Sequence, residues 1–237
     1  MFIGESFPLT AGLAHDFDPS RFVYSDAGST LATNGQAVAQ WDAASGGTSL
    51  TQGDASRRPV WIASGLNSLP VLRFVATTAS DSLQGTFATT LTQPMTIFIV
   101  YKFNTLAAGY NDIILDGLVS SRVFQGARSV NTGYKIYAGT QVVGGAVSTA
   151  AFHYSTLIVD TTSSDFRVDG AAVSTGVSLG TNTLPGITLG DAPSQVSTSE
   201  SGGGFAGDIA RVLLYKGKLA SHQILAMESW LAKLYAL

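Results

Sequence analysis

Pairs of carboxylates are the residues that would give this chain hydrolytic chemistry, and the sequence offers few. A glycosidase holds one protonated and one ionised carboxyl group beside the bond that it cleaves. The three glutamates are far apart in the chain: Glu5, Glu200 and Glu228. Asp112 with Asp116, and Asp165 with Asp169, have a spacing that shares one strand face, but aspartates at strand ends more often form turns. We therefore predict no catalytic residues and no enzymatic activity.

Two glycine motifs match enzyme signatures in their letters but not in their context. Residues 202–207 fit G-x-G-x-x-G, but a dinucleotide site requires a strand before this motif and a helix after it, and here a strand pattern follows. Residues 176–180 fit G-x-S-x-G, but a nucleophile elbow requires a helix after Ser178, and no helical pattern follows. The first segment is interpreted as a glycine loop and the second as a turn or strand edge.

Metal ligands are also sparse. The histidines are scattered along the chain: His15, His153 and His222. With no cysteine beside them, they form no zinc-binding pattern. Calcium takes roughly six to eight oxygen ligands, and loop aspartates such as Asp81, Asp191 and Asp208 could supply some, although aspartate more often serves turns. We predict no cofactor; if calcium binds, Asp81 and Asp208 are its candidate ligands.

Sugar binding is the chemistry for which the sequence has the most candidate residues. Sandwich proteins bind sugars with exposed aromatic rings and a few polar side chains that fix the hydroxyl groups. The candidates lie in the turn-rich central part of the chain: Tyr110, Asn111, Asp112, Arg122, Arg128, Asn131 and Tyr134. Half-buried strand ends are an equal alternative for the tyrosines. Trp41 and Trp61 are interpreted as packing residues.

Composition and charge exclude several other classes of protein. A chain of 237 residues, 45% hydrophobic and 12% charged, can bury a large core as one domain without disulfides. The net charge is −3 and the longest basic cluster is Arg57-Arg58, so we expect no binding to nucleic acid or to an anionic membrane. The densest apolar run, residues 95–101, is too short for a membrane helix, and the N-terminus lacks a secretory-signal pattern.

The elements that must position these residues are mostly strands. Short β-branched and aromatic runs, separated by turn residues about every ten positions, predict an all-β sandwich or barrel. The predicted strands are residues 70–75, 95–103, 112–116, 133–138, 152–161, 186–190 and 208–215. The Asp169-Gly170 pair suits a tight hairpin turn, which predicts that Phe166 and Val168 face inward together.

The C-terminus predicts the single helix of the chain. Apolar residues recur there at helical spacing: Ile224, Met227, Leu231 and Leu234. Ser221 is the predicted N-cap, and the apolar stripe is expected to pack on the sandwich. We expect residues 1–12 to form an N-terminal arm and residues 13–237 to form one domain.

An ordered series of short blocks carries a family likeness. The blocks are Asp16-Phe17-Asp18-Pro19-Ser20, residues 34–42 (NGQAVAQWD), Arg58-Pro59, residues 63–74 (ASGLNSLPVLRF), Asp81-Ser82-Leu83, residues 207–215 (GDIARVLLY) and residues 230–235 (WLAKLY). This series resembles the concanavalin A-like (laminin G-like) jelly-roll domains of bacterial and bacteriophage proteins. The resemblance implies an all-β, two-sheet antiparallel β-sandwich with one C-terminal α-helix. Many relatives have an acidic residue where this chain has Val75-Ala76, which weakens the case for calcium.

The resemblance implies several functions, because this fold supports lectins, glycosidases, lyases and virion parts. We expect a non-enzymatic structural or adhesive virion protein, a capsid decoration or tail-associated component. It would form a homo-oligomer or bind other virion proteins, with residues 1–12 docking on the partner, and could also bind host polysaccharide. The alternatives are a carbohydrate-binding module of a bacterial protein and, third, a polysaccharide hydrolase or lyase. The expected location is the virion, or otherwise the extracellular space or cell surface.

Overall fold

The computed structural model describes residues 7–76, 80–106, 111–128, 133–149, 151–193 and 203–237. Two antiparallel sheets pack face to face, and one α-helix lies on the outer side of the first sheet. This confirms the predicted all-β sandwich with a C-terminal helix. The strands in chain order are β1 (Leu13–Phe17), β2 (Val23–Tyr24), β3 (Gln40–Asp42), β4 (Ser49–Thr51), β5 (Val60–Leu66), β6 (Leu69–Phe74), β7 (Leu83–Leu91), β8 (Met95–Phe103), β9 (Asn111–Asp116), β10 (Phe124–Arg128), β11 (Gly133–Tyr137), β12 (Gln141–Gly144), β13 (His153–Val159), β14 (Ser164–Val168), β15 (Ala171–Val177), β16 (Leu184–Leu189), β17 (Gly203–Gly204) and β18 (Gly207–Lys216).

Sheet A is organised around its two longest neighbouring strands, β8 and β18. Its order is β15-β14-β13-β8-β18-β6-β5, and β1 also pairs with β18. The start of β18 pairs with β6 and its end pairs with β1, while β8 pairs along its whole length. β8 is almost continuously apolar because both of its faces are covered, one by sheet B and the other by the helix.

Sheet B has the order β12-β11-β10-β9-β16-β7-β4-β3-β2, with β17 in a short parallel pairing with β9. The main core lies between the two sheets. Its largest fully buried side chains include Phe17, Trp41, Phe74, Tyr101, Phe103 and Phe166. Trp61 packs at the border of this core and donates its indole N–H to the carbonyl of Pro19 at 2.7 Å. Both tryptophans are thus packing residues, as predicted.

The Asp169-Gly170 hairpin forms as the sequence predicts. Asp169 and Gly170 both have positive φ angles, 50° and 76°, which a type I′ turn requires. Phe166 is buried in the main core and Val168 packs against it. The hairpin therefore joins β14 to β15 with the expected inward side.

Helix α1 (Ser221–Tyr235) covers the outer side of sheet A. Ile224, Met227 and Leu231 are buried against the sheet, which confirms the predicted stripe. The N-cap is Ala220, not Ser221, which is the first residue of the helix. The Gln223 side chain accepts the Ala220 N–H at 2.9 Å, which is the N3 half of a capping box, and alanine supplies no side-chain oxygen for the other half.

The described part of the N-terminal segment packs on the same domain. The Phe7 ring lies 5.0 Å from the Trp230 ring in an edge-on arrangement, and the Leu9 carbonyl accepts a hydrogen bond from the Tyr215 hydroxyl at 2.8 Å. Residues 1–6 of the predicted arm lie outside the described residues. From Phe7 onward, the segment extends the apolar layer between helix α1 and sheet A.

Candidate functional site

The outer side of β9, β10 and β11 in sheet B brings aromatic and charged side chains together. In the pairing of β10 with β11, Phe124 lies opposite Tyr137 and Gly126 lies opposite Lys135. In the pairing of β10 with β9, Gly126 lies opposite Ile113. Because side chains alternate across a strand, these residues share the side that faces away from the main core. We define the β9–β11 face by six residues: Ile113, Asp116, Arg122, Phe124, Lys135 and Tyr137.

Phe124 is the centre of this face. Its buried ring stacks on the half-buried Tyr137 ring, with 5.3 Å between centroids and 13° between planes. The Arg122 guanidinium lies 5.4 Å and the Lys135 ammonium 4.9 Å from the Phe124 centroid. Cations at these distances are attracted by the ring electrons. The face therefore combines a fixed aromatic stack with two positive charges.

Asp116 orients Arg122 from beneath the face. Its Oδ2 accepts from Arg122 Nε at 2.9 Å and from Nη2 at 2.6 Å, and its Oδ1 accepts the Gly117 N–H at 2.7 Å. Burial raises the pKa of Asp116 to about 6, against the opposing effect of Arg122. The guanidinium is held in one orientation by this buried partner.

A second ion pair lies near the end of β16. Arg57 Nη2 donates to Asp191 Oδ2 at 3.1 Å, and Arg57 Nε donates to the Ser80 carbonyl at 3.0 Å. Burial raises the pKa of Asp191, and the charge of Asp191 also contributes to the raised pKa of Asp116. Ala192, which follows Asp191 in the sequence, packs with Phe124 of the aromatic stack.

The structure describes five of the seven sugar-binding candidates, Asn111, Asp112, Arg122, Arg128 and Tyr134, and Asp112 is buried in β9. Arg122 lies on the β9–β11 face. Asn111 and Arg128 are directly paired at the ends of β9 and β10, and only their strand positions are described. Tyr110 and Asn131 lie outside the described residues.

Tyr134 is inside the sandwich instead of on its surface. The residue is 3% exposed, and its ring lies 5.5 Å from the Phe166 ring. Tyr134 and Ile136 share the inner side of β11, which places Lys135 and Tyr137 outside. The exposed-platform role expected of Tyr134 therefore does not fit its position, whereas Tyr137, which the sequence reasoning missed, has the required orientation. Alternation within the segment puts Tyr134 and Tyr137 on opposite sides of β11, but it does not identify the inward side.

The two candidate calcium ligands each bind another group of the protein. Asp81 accepts the Val75 N–H through Oδ2 at 2.8 Å, and burial raises its pKa to about 6. Both Asp208 oxygens accept from Arg73, at 2.7 and 3.0 Å. Across the described ranges, no group of three or more His, Cys, Asp and Glu side chains is placed to hold a metal ion.

The remaining carboxylates that could act in catalysis make structural contacts. Asp165 accepts the Gly176 N–H at 2.8 Å, and Asp169 contacts His153 Nδ1 at 2.6 Å. Glu228 of the helix accepts from Arg167 and from the Thr156 hydroxyl, each at 2.8 Å. These carboxylates join the helix and hairpins to the sheets.

The two glycine motifs have the contexts that the sequence predicted. Gly203 and Gly204 form β17, and Gly207 opens β18, so a strand follows the first motif. Ser178 lies in the connection after β15, and the next described element is strand β16. Neither motif has the helix that its chemistry requires.

Comparisons with known proteins connect the chain to solved structures only. No protein-family model matches the sequence, and no curated protein matches it. A Trypanosoma rangeli sialidase in complex with the inhibitor DANA is similar over 95% of this chain and 34% of its own, with a TM-score of 0.61 and 12% identity. The chain thus spans about a third of the length of the sialidases that it matches.

A better match in size is domain 4 of AbnA, an extracellular arabinanase of Geobacillus stearothermophilus, solved in complex with arabinotriose. It is similar over 91% of this chain and 98% of its own, with a TM-score of 0.61 and 12% identity. The shared structure is a sandwich of two antiparallel sheets. A third similar structure is that of botulinum neurotoxin type C, a toxin whose cell entry depends on interaction with two ganglioside molecules. It is similar over 77% of this chain and 49% of its own, with a TM-score of 0.51 and 10% identity. These low identities show the fold alone.

Length and hydropathy also bear on membrane insertion. Among the described residues, no helix is both long enough and apolar enough to cross a bilayer.

Proposed function

We propose that this domain is a carbohydrate-binding module without catalytic activity, and that it binds a glycan on the β9–β11 face. The observation that carries the proposal is the position of Tyr137. Its half-buried ring lies on the outer side of sheet B, stacked on the buried Phe124 ring. An aromatic surface of this kind suits the apolar face of a pyranose.

Arg122 would add directional contacts, because it is the charged residue of this face that is not fully buried. The Arg122 guanidinium, which Asp116 orients, supplies N–H donors for sugar hydroxyl or carboxylate oxygens. The Phe124 ring restrains Tyr137, so little side-chain freedom is lost when a sugar binds. The mechanism is therefore stacking on a rigid ring, with an arginine that fixes the orientation of the sugar.

The structural neighbours support this proposal by their ligands. The arabinanase domain, which is close to this chain in length, was solved with arabinotriose, and a sialidase structure contains sialic acid. The toxin depends on gangliosides. Fold alone does not assign a ligand, so the proposal depends on the chemistry of the β9–β11 face.

A structural or adhesive virion role is the second candidate, and the ordered sequence blocks of the jelly-roll resemblance favour it. A capsid decoration or tail-associated protein would assemble by symmetric self-association or on a symmetric lattice. Light scattering coupled to size-exclusion chromatography tests this role. A stable oligomer that binds no glycan favours it, whereas a monomer that binds a defined glycan favours the carbohydrate-binding module.

The test of glycan binding begins with an array that includes arabino-oligosaccharides, sialylated glycans and gangliosides. Calorimetry then compares the wild type with Tyr137→Ala, for which we expect at least a tenfold loss of affinity. Tyr24→Ala, at the far edge of sheet B, is the matched control and should bind normally. An array without any bound glycan contradicts the function, and undiminished binding by Tyr137→Ala contradicts the site.

A further inference from the structure

A cavity lies at the edge of the sandwich, where β1 of sheet A approaches the end of β7 in sheet B. Its volume is about 270 Å³, and its lining includes Ala14, His15, Ser45, Thr89, Leu91 and Lys216. An adjoining cavity of about 330 Å³ shares Thr89, Leu91 and Lys216 with it. We call the two together the edge groove. None of its lining residues belongs to the β9–β11 face.

His15 is the most informative residue of the groove. It is 5% exposed, stacks on Phe87 at 4.0 Å, and its buried Nδ1 has no hydrogen-bond partner among the described residues. Burial, together with the charge of Lys216, lowers the pKa of His15 to about 4, so the imidazole is neutral at physiological pH. Nδ1 is enclosed, so Nε2, which is not among the enclosed unpaired atoms, is the ring nitrogen that can meet a ligand in the cavity.

Lys216 gives the groove its charge. The side chain is exposed and makes no ion pair or hydrogen bond within the part of the chain that the structure describes. No acidic residue lines either cavity, and the polar remainder consists of hydroxyl groups such as those of Ser45 and Thr89. The groove therefore presents one unbalanced positive charge, neutral hydrogen-bonding groups and apolar walls.

We propose that the edge groove binds an acidic sugar, with the carboxylate of a hexuronic acid on Lys216 and a ring hydroxyl on His15. The first cavity is slightly below the roughly 300 Å³ at which pockets for drug-sized ligands begin, a size that suits one monosaccharide. The adjoining cavity extends the groove toward Pro94 and gives room for a second sugar residue. This site goes beyond glycan binding on the β9–β11 face and does not depend on it.

The experiment titrates the full chain with sodium glucuronate, with methyl glucoside and with inorganic phosphate. The readout is the NMR signal of the His15 ring, one of only three histidine rings in the sequence. We expect glucuronate to shift this signal and the other two probes to bind at least tenfold more weakly. Equal binding of methyl glucoside would overturn the role of the charge, and equal binding of phosphate would overturn the role of the sugar.

Variants separate the two contacts. Lys216→Met should weaken glucuronate binding at least tenfold, while Lys218→Met, two positions along the chain and outside the groove lining, should leave it unchanged. His15→Phe keeps a ring against Phe87 but removes the nitrogen atoms, and it should also weaken binding. Unchanged affinity in Lys216→Met overturns the proposal even if the His15 variant fails to fold. Tyr137→Ala should bind glucuronate normally, which distinguishes a failure here from a failure of the β9–β11 face.

Discussion

The ring of Tyr137 lies almost parallel to the ring of Phe124, with 13° between their planes, so a buried aromatic residue supports a partly exposed one. Tyr137 is the last residue of β11 and Phe124 is the first of β10, and the antiparallel register makes them direct partners. Direct cross-strand partners are close enough for their rings to meet. The sheet itself therefore sets the angle at which a sugar would stack.

If stacking is the main contact, the aromatic ring matters more than its hydroxyl group. Tyr137→Phe should retain glycan affinity within about threefold, whereas Tyr137→Leu, which keeps an apolar side chain, should lose about tenfold. Calorimetry on a glycan identified by the array measures both values. Equal losses in the two variants would instead assign the binding energy to the hydroxyl group.

A buried arginine joins the N-terminal strand to the last strand. Arg211 donates to both oxygens of Asp16, at 2.7 and 2.8 Å, and to Asp18 at 2.8 Å. Arg211→Met would leave Asp16 buried without its partner, so we expect the free energy of unfolding to fall by about 3 to 5 kcal/mol. Chemical denaturation measures the change. Arg21→Met, which removes an exposed arginine 4.0 Å from Asp18, should cost less than about 1 kcal/mol, and a comparable loss there would contradict the assignment.

Stability should depend on pH through Asp81, whose pKa burial raises to about 6 in the folded state. Below pH 4 the carboxyl group is protonated in both states; as the pH rises to 6, only the unfolded chain releases its proton. The free energy of unfolding should therefore fall over this window, by about 2 to 3 kcal/mol from this group. Asp81→Asn keeps an oxygen for the Val75 N–H and should remove this decrease. Denaturation curves at several pH values measure the difference between the two proteins, and a constant difference would refute the prediction.

Calcium should have little effect on the folded domain. Arg73 occupies both oxygens of Asp208, and Asp81 is bound to the Val75 N–H. We expect the same Tm, within about 1 °C, in calcium and in EDTA, because a ligand stabilises only a state that binds it. A Tm that rises with calcium concentration would show that these carboxylates rearrange around the ion.

The sequence predicted best those strands whose apolar runs are continuous. β8 has the predicted bounds, residues 95–103. Both of its faces are buried, so its apolar residues form an almost continuous stretch in the sequence. β7 was missed because its exposed residues, Thr86, Ala88, Thr89 and Thr90, separate its buried residues without a regular period of two. β1 was missed for a different reason: its polar residues His15 and Asp16 are buried, and their surroundings are formed by distant parts of the chain.

The candidate site was predicted only in part. The central strands and Arg122 were found from residue type, but choosing between Tyr134 and Tyr137 required the inward side of β11 to be known. The side of a strand follows from its partners, and Tyr134 faces Phe166 of the opposite sheet. The Asp16–Arg211 pair spans 195 positions in the sequence, and no local pattern connects its members.

The position of β18 in the middle of sheet A has a consequence for synthesis on the ribosome. The apolar strand Met95–Phe103 emerges long before Gly207–Lys216, the strand that must lie beside it. Until then one edge and much of the apolar surface of β8 are uncovered, which is the situation in which nascent β-proteins aggregate or require chaperones. Sheet A can therefore be completed only late, when almost all of this sequence has been translated.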